Sequence, residues 1–246
     1  MTILAISATP ALSATTGGAV AGSTSAPAAT TPAAAPAPAA ALHLSPITSK
    51  SRKLSYKGPI YEKTATGEVI PYVAPAPAEQ LTSATGGSPV SGATATTADT
   101  KPQLLVPGSL ARYVNGLAAA PMSAPASVQQ VIWAGNEIIG LPYIFGGGHA
   151  SFTSPGYDCS GTVSYALHGG SFLTTPMDSS EFMAWGSHGA GRWIAVFGNA
   201  GHAYMDVAGL RLDTSAADDP SNQQGPRWRP LRTENGGYTV RHPLGL

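Results

Sequence analysis

In SVQQVIWAGNEIIG, Val128, Val131, Ile132, Gly135, Ile138 and Ile139 recur at helical spacing along one face. Ser127 and Gln130 match a capping box, so the pattern predicts a helix beginning there and stopped by Gly140 and Pro142. The period returns in YDCSGTVSYALHGG, where Val163, Ala166 and Leu167 predict a second helix ended by Gly169 and Gly170. Cys159 then falls at or near that helix's N-terminus. From Trp193 onward the period becomes two, in WIAVF, in HAYMDV and LRLDT around an Ala208-Gly209 turn, and in GYTVRH. Helices followed by a strand meander predict an α+β fold with helices packed on one face of a small antiparallel sheet.

The hairpin pattern can be carried further. A two-residue turn at Ala208-Gly209 opposes Val207 to Leu210, Asp206 to Arg211, Met205 to Leu212 and Tyr204 to Asp213. Ala203, Met205, Val207, Leu210 and Leu212 then share an apolar face, and His202, Tyr204, Asp206, Arg211 and Asp213 share the other. His202 and Asp213 become diagonal neighbours about 7–8 Å apart at the backbone, within side-chain reach. Asp206 opposite Arg211 reads as a cross-strand ion pair worth about 0.2–1 kcal/mol.

The chain ahead of these elements has a different character. Met1 to Ser49 holds no Lys, Arg, Asp or Glu and little that could fill a core, so it is expected to stay disordered. Residues 1–14 end in ALSA, which fits a signal-peptide cleavage site near Ala14, but no basic segment precedes it. Two readings stand: a truncated signal peptide, or the head of a low-complexity tract. Residues 15–103 read as an Ala/Thr/Pro/Ser-rich stalk or linker of a secreted or cell-wall-associated protein. Within it, residues 50–77 regain charges and aromatics, but prolines interrupt each candidate strand, giving an extended linker. The folded domain is expected to span 104–246. No repeat of solenoid period is visible, and no segment is long and apolar enough to cross a bilayer.

Thirteen basic residues balance thirteen acidic ones, so no field favours nucleic acid or an anionic membrane. Cys159 is the sole cysteine, which excludes an intramolecular disulfide and a thiolate-rich zinc site. A free cysteine can be a small buried hydrophobe or a nucleophile. A helix N-terminus lowers a thiol's pKa, and an imidazole beside a carboxylate can take its proton, so Cys159, His202 and Asp213 form a candidate nucleophile, base and orienter. From the hairpin alone, His202 and Asp213 read equally well as surface residues on an exposed sheet face.

PYIFGGG, then YDCSGTVSYAL, then GHAYMDVAGLRLDTS resemble, in order and spacing, the NlpC (p-sixty) family of papain-like cysteine peptidases over roughly residues 126–215. The resemblance implies a circularly permuted papain-like fold, and thiol-dependent endopeptidase cleavage of peptidoglycan stem peptides between D-γ-glutamate and the diamino acid. It assigns Tyr143, with the backbone N–H of Cys159, to the oxyanion and Asp158 and Ser160 to the substrate cleft. The family's third polar position is often His, and Asp213 stands there. A related amidase or acyltransferase using the same residues is the alternative enzyme, and a catalytically inactive wall-binding module the alternative class.

His149 and His168 read as ordinary loop and helix-end histidines. A zinc site from Cys159, His149 and His202 is disfavoured by their wide spacing. Trp185, Trp193 and Trp228 read as core or groove walls, and no G-x-S-x-G elbow occurs. The expected protein is a monomer needing no metal or cofactor.

Overall fold

A computed structural model describes residues 56–74 and 101–246. The signal-peptide reading of residues 1–14 and most of the proposed stalk lie outside the described residues. The elements run β1 (Tyr61–Lys63), β2 (Val69–Pro71), β3 (Gln103–Val106), β4 (Arg112–Val114), β5 (Leu117–Pro121), α1 (Ala126–Ile138) and α2 (Cys159–Gly169). A 3-10 turn at Glu181–Met183 follows, then β6 (Ser187–His188), β7 (Ile194–Asn199), β8 (His202–Val207), β9 (Leu210–Asp213), β10 (Arg227–Arg229) and β11 (Thr239–His242). Among the described residues the architecture is mixed α+β, with two helices and two sheets.

The six-stranded sheet, in the order β10-β9-β8-β7-β11-β6, is antiparallel throughout. Helix α2 packs on β8 and β9, and α1 packs on α2 and β5. The β8–β9 register is the expected one, with Val207, Asp206 and Met205 opposite Leu210, Arg211 and Leu212. Ala208 at φ 46° and Gly209 at φ 92° make the turn, both left-handed as a type I′ hairpin requires. Ala208 tolerates this as a non-glycine because its N–H donates to Trp193 O and its carbonyl accepts from Ala111 N. Ala203, Met205, Val207, Leu210 and Leu212 bury in the main core against Val128, Val131, Val163 and Leu167 of the helices.

The opposite face of β8 is covered as well. Phe197 stacks on Tyr204 at 4.6 Å and Tyr238 meets Tyr204 edge-on at 5.1 Å, leaving Tyr204 fully buried. The exposed-face reading of His202 and Asp213 is therefore corrected. Its physical reason is the segment before β11, whose aromatic side chain closes over a face that a four-strand pattern leaves open.

Helix α1 departs from its expected cap. It begins at Ala126 with Pro125 as N-cap, non-helical at φ −53° and ψ 149°, whose carbonyl accepts from Val128 N and Gln129 N, so the helix starts ahead of Ser127 and the Ser127/Gln130 box does not form. Gly140 at φ 90° ends it, and Lys101 Nζ collects the carbonyls of Asn136 at 2.9 Å and Ile139 at 2.6 Å. Asn136, 1% exposed, bonds both backbone groups of Ala118 and the Trp228 indole at 2.8 Å each, tying α1 to β5 and β10. Trp193 also lies in this core and Trp185 packs against it.

The second sheet, in the order β2-β1-β3-β5-β4, replaces the extended linker expected for residues 50–77 over their described part, residues 56–74. Strand β1 pairs with β2 and, through Tyr61↔Leu105 and Lys63↔Gln103, with β3. The prolines do not prevent this, because Pro59 precedes β1 and Pro71 sits at the end of the edge strand β2. The folded unit thus recruits residues well ahead of 104.

Candidate active site

Cys159 is the first residue of α2, and Asp158 caps that helix by accepting from Gly161 N at 2.8 Å. The first turn leaves unpaired backbone N–H groups and partial positive charge beside the sulfur. The glycine loop of residues 146–148 is laced to the same end. Gly146 N donates to Asp158 Oδ2 at 3.0 Å and Asp158 N to Gly147 O at 3.2 Å. A Cβ on Gly161 would stand 2.0 Å from Gly147 O, so only glycine allows this approach.

His202 opens β8. The Asn199 side chain accepts from the backbone N–H of Gly201 and of His202, both at 2.9 Å, and fixes the β7–β8 turn that presents the imidazole. His202 Nε2 lies 2.9 Å from Asp213 Oδ1, so Nε2–H donates and Nδ1 is left for Cys159. Asp213 is 1% exposed, and its Oδ1 also accepts from Ser215 N at 2.8 Å. Its chain position is held from behind by Arg229, which donates to the carbonyls of Asp213, Gln223 and Gly225 and to the Asp219 carboxylate.

The electrostatics follow from this geometry. Burial works against a Cys159 thiolate, but the hydrogen bond from His202, the backbone N–H of Ala203 and the His202 charge outweigh it, and the thiol pKa is lowered. Burial likewise opposes a charged His202. Its hydrogen bonds to Asp213 and Cys159, with their negative charges, prevail and raise the imidazole from 6.5 to about 9. The two shifts are coupled, each group favouring the charged form of the other. Cys159 is 9% exposed.

No protein-family model matches the chain, and no curated protein matches it.

Of the residues named from the sequence, Cys159, His202 and Asp213 are brought together. Tyr143 is 45% exposed and lies near enough for the charges of Cys159 and Asp158 to add to burial in raising its pKa. Asp158 and Ser160 are 4% and 2% exposed. Their side chains turn inward and brace the helix end. His149 joins them, its Nε2 at 3.0 Å from Asp158 Oδ1 and from Ser160 Oγ. His168 stacks on Phe152 at 3.8 Å and donates from Nδ1 to Leu173 O, away from the thiol. Among the described residues no group of three or more His, Cys, Asp or Glu is arranged to hold a metal.

The expected Asp206–Arg211 ion pair does not form. Arg211, fully buried, turns to Asp213 with Nη1 3.5 Å from Oδ2, and its Nη2 donates to Ala217 O. Sequence reasoning missed this turn because Asp213 and Ala217 lie on the same side of the hairpin end, where the loop after β9 folds back. The Arg229 brace and the His149–Asp158 contact were also missed. The second had a signal, a His at the end of the glycine run that must approach the helix N-terminus.

Proposed function

We infer that the chain is a secreted cysteine peptidase of the NlpC type, acting on peptidoglycan stem peptides. The observation that carries this reading is one side-chain set: Cys159 at a helix N-terminus, His202 facing it, and the buried carboxylate of Asp213 on the far imidazole nitrogen. A nucleophile helix that precedes an antiparallel sheet bearing the base is compatible with a papain-like arrangement, and the circular permutation rests on the resemblance alone. The wall substrate and the D-γ-glutamyl–diamino acid bond rest on the resemblance of PYIFGGG, YDCSGTVSYAL and GHAYMDVAGLRLDTS to that family, and export rests on the ALSA segment near Ala14 and the Pro/Ala/Thr-rich tract behind it. Among the described residues no helix is long and apolar enough to cross a membrane.

The chemistry proceeds in two halves. The Cys159 thiolate adds to the scissile carbonyl carbon, and the resulting oxyanion is met by the Cys159 backbone N–H and the Tyr143 hydroxyl. As the C–N bond breaks, the His202 imidazolium gives its proton to the leaving amine, and the acyl group stays on sulfur. Water, deprotonated by neutral His202, then attacks the thioester; the C–S bond breaks, releasing the carboxylic acid product and the Cys159 thiolate beside the newly protonated His202. Asp213 keeps Nδ1 directed at the sulfur and stabilises the imidazolium in each half.

Purified bacterial walls digested with the protein test this, with the products read by mass spectrometry. The expected products are stem peptides cut after D-γ-glutamate, absent with Cys159→Ala. Transfer of the acyl group to an added amine in place of water would favour the acyltransferase reading, and undiminished cleavage by Cys159→Ala would end the cysteine-hydrolase reading.

A further inference from the structure

Behind His202 lies a row of buried and half-buried charged groups, of which the reaction above uses only Asp213. Asp206 Oδ1, Arg211 Nε and Nη1, Asp213 Oδ2, Arg227 Nε and Arg232 Nε are each closed off from solvent with no hydrogen-bond partner. They gather on one face of the sheet. Asp206 is opposite Arg211, Asp213 is opposite Arg227, and Arg232 lies over the Tyr204 ring at 5.2 Å. Buried polar atoms left unpaired are costly, so six in one patch call for a reason.

We propose that Arg211 and Asp206 are positioning residues for the His202–Asp213 pair, Arg211 dividing its charge between two carboxylates and so setting how strongly Asp213 holds the His202 proton. This rests on the thiol-hydrolase reading above. A guanidinium offers five donors in a fixed fork. Arg211 spends Nη2 on Ala217 O, which anchors the fork and leaves Nε and Nη1 near the carboxylates without a close bond to either. Asp213 Oδ1 is occupied by His202 and Ser215, and Oδ2, 3.5 Å from Arg211 Nη1, is the atom through which Arg211 acts.

Asp206 is the variable partner. Burial raises its pKa from 3.8 to about 7, against the attraction of Arg211 and with the repulsion of Asp213 added, so it changes charge near neutral pH. It faces Arg211 and Asp213 from β9 and Arg232 from the segment after β10, while Arg211 also feels Asp218 and Arg229. When Asp206 is neutral, Arg211 serves Asp213 alone and weakens its pull on His202. When Asp206 is ionised, Arg211 is shared and Asp213 holds the imidazolium more firmly.

The test is an NMR pH titration of the His202 ring in the full chain, assigned by its loss in His202→Gln. The wild-type step is expected near 9. Asp206→Asn should move it down by about half a pH unit, Arg211→Gln should move it up, and Arg211→Lys, which keeps the charge, should restore the wild-type position. Arg211 is fully buried and Arg211→Gln can fail to fold; Asp206→Asn is nearly isosteric at a half-buried strand position and keeps the experiment decisive. A His202 step unmoved in Asp206→Asn overturns the proposal. Cys159→Ala separates the two readings: if it too leaves His202 unmoved, the thiolate–imidazolium pair itself is wrong, whereas a shift with Cys159→Ala alone sinks only the role of Arg211 and Asp206.

Discussion

Two histidine–aspartate pairs flank the same helix end, and they are built for different work. In His202–Asp213 the carboxylate takes one imidazole nitrogen and leaves the other to a thiol. In His149–Asp158 a single nitrogen, Nε2, meets both the carboxylate and Ser160 Oγ, so no proton can pass through the ring from hydroxyl to base. Asp158 is also committed to the backbone, capping α2 and holding Gly146. What separates a candidate catalytic set from a brace is which ring nitrogen each partner occupies, and the residue types alone do not reveal it.

The largest contrast is expected between neighbours on α2. Cys159→Ala should lower turnover by on the order of 10⁴-fold or more, and Ser160→Ala should leave it within a few-fold, measured as release of stem peptide from soluble muropeptides. A crippled Ser160→Ala would mean that the brace carries chemistry. Next come the carboxylates. Asp213→Asn should cost on the order of 10²-fold in kcat/KM, because the imidazole loses its orientation while the helix end still acidifies the thiol. Asp158→Ala should cost about 1–2 kcal/mol in thermal or denaturant unfolding through the lost cap, with a smaller effect on rate.

Charge state sharpens the same comparison. The active form carries a thiolate and an imidazolium, so kcat/KM should rise as pH passes the lowered thiol pKa and fall as His202 loses its proton near 9. His149→Gln should keep that alkaline limb in place. A limb that moves with His149 would assign the titration to the wrong pair. The smallest effect is expected from a region that touches neither pair: a chain starting at Lys101 loses β1 and β2 and bares the edge of β3, lowering its melting temperature by a few degrees at unchanged kcat/KM.

The parts of this site that are local in sequence were legible there. Gly209 and the alternation of HAYMDVAGLRLD fix a turn and a register, and with them the nearness of His202 and Asp213. Cys159 at the start of α2 follows from Asp158 before it and Gly169 after. What could not be read depends on partners far along the chain. Asn136 shows as one polar position in an apolar stripe until Trp228 reaches it from 92 residues away. Strand β1 is three residues among prolines, and nothing within it indicates β3 as its neighbour. Arg211 reads as the partner of Asp206 because the two stand directly opposite in the hairpin, whereas its fork is drawn to Ala217 by the loop after β9.

The central claim is that Cys159 and His202 exist as an ion pair over the neutral range, and the pH dependence of Cys159 alkylation by iodoacetamide, followed by peptide mapping, tests it most directly. A coupled pair predicts modification already rapid well below the ordinary thiol pKa of about 8.5, with a second rise as His202 deprotonates near 9. A single rise at the pKa of a free thiol, unchanged by His202→Gln, would contradict it.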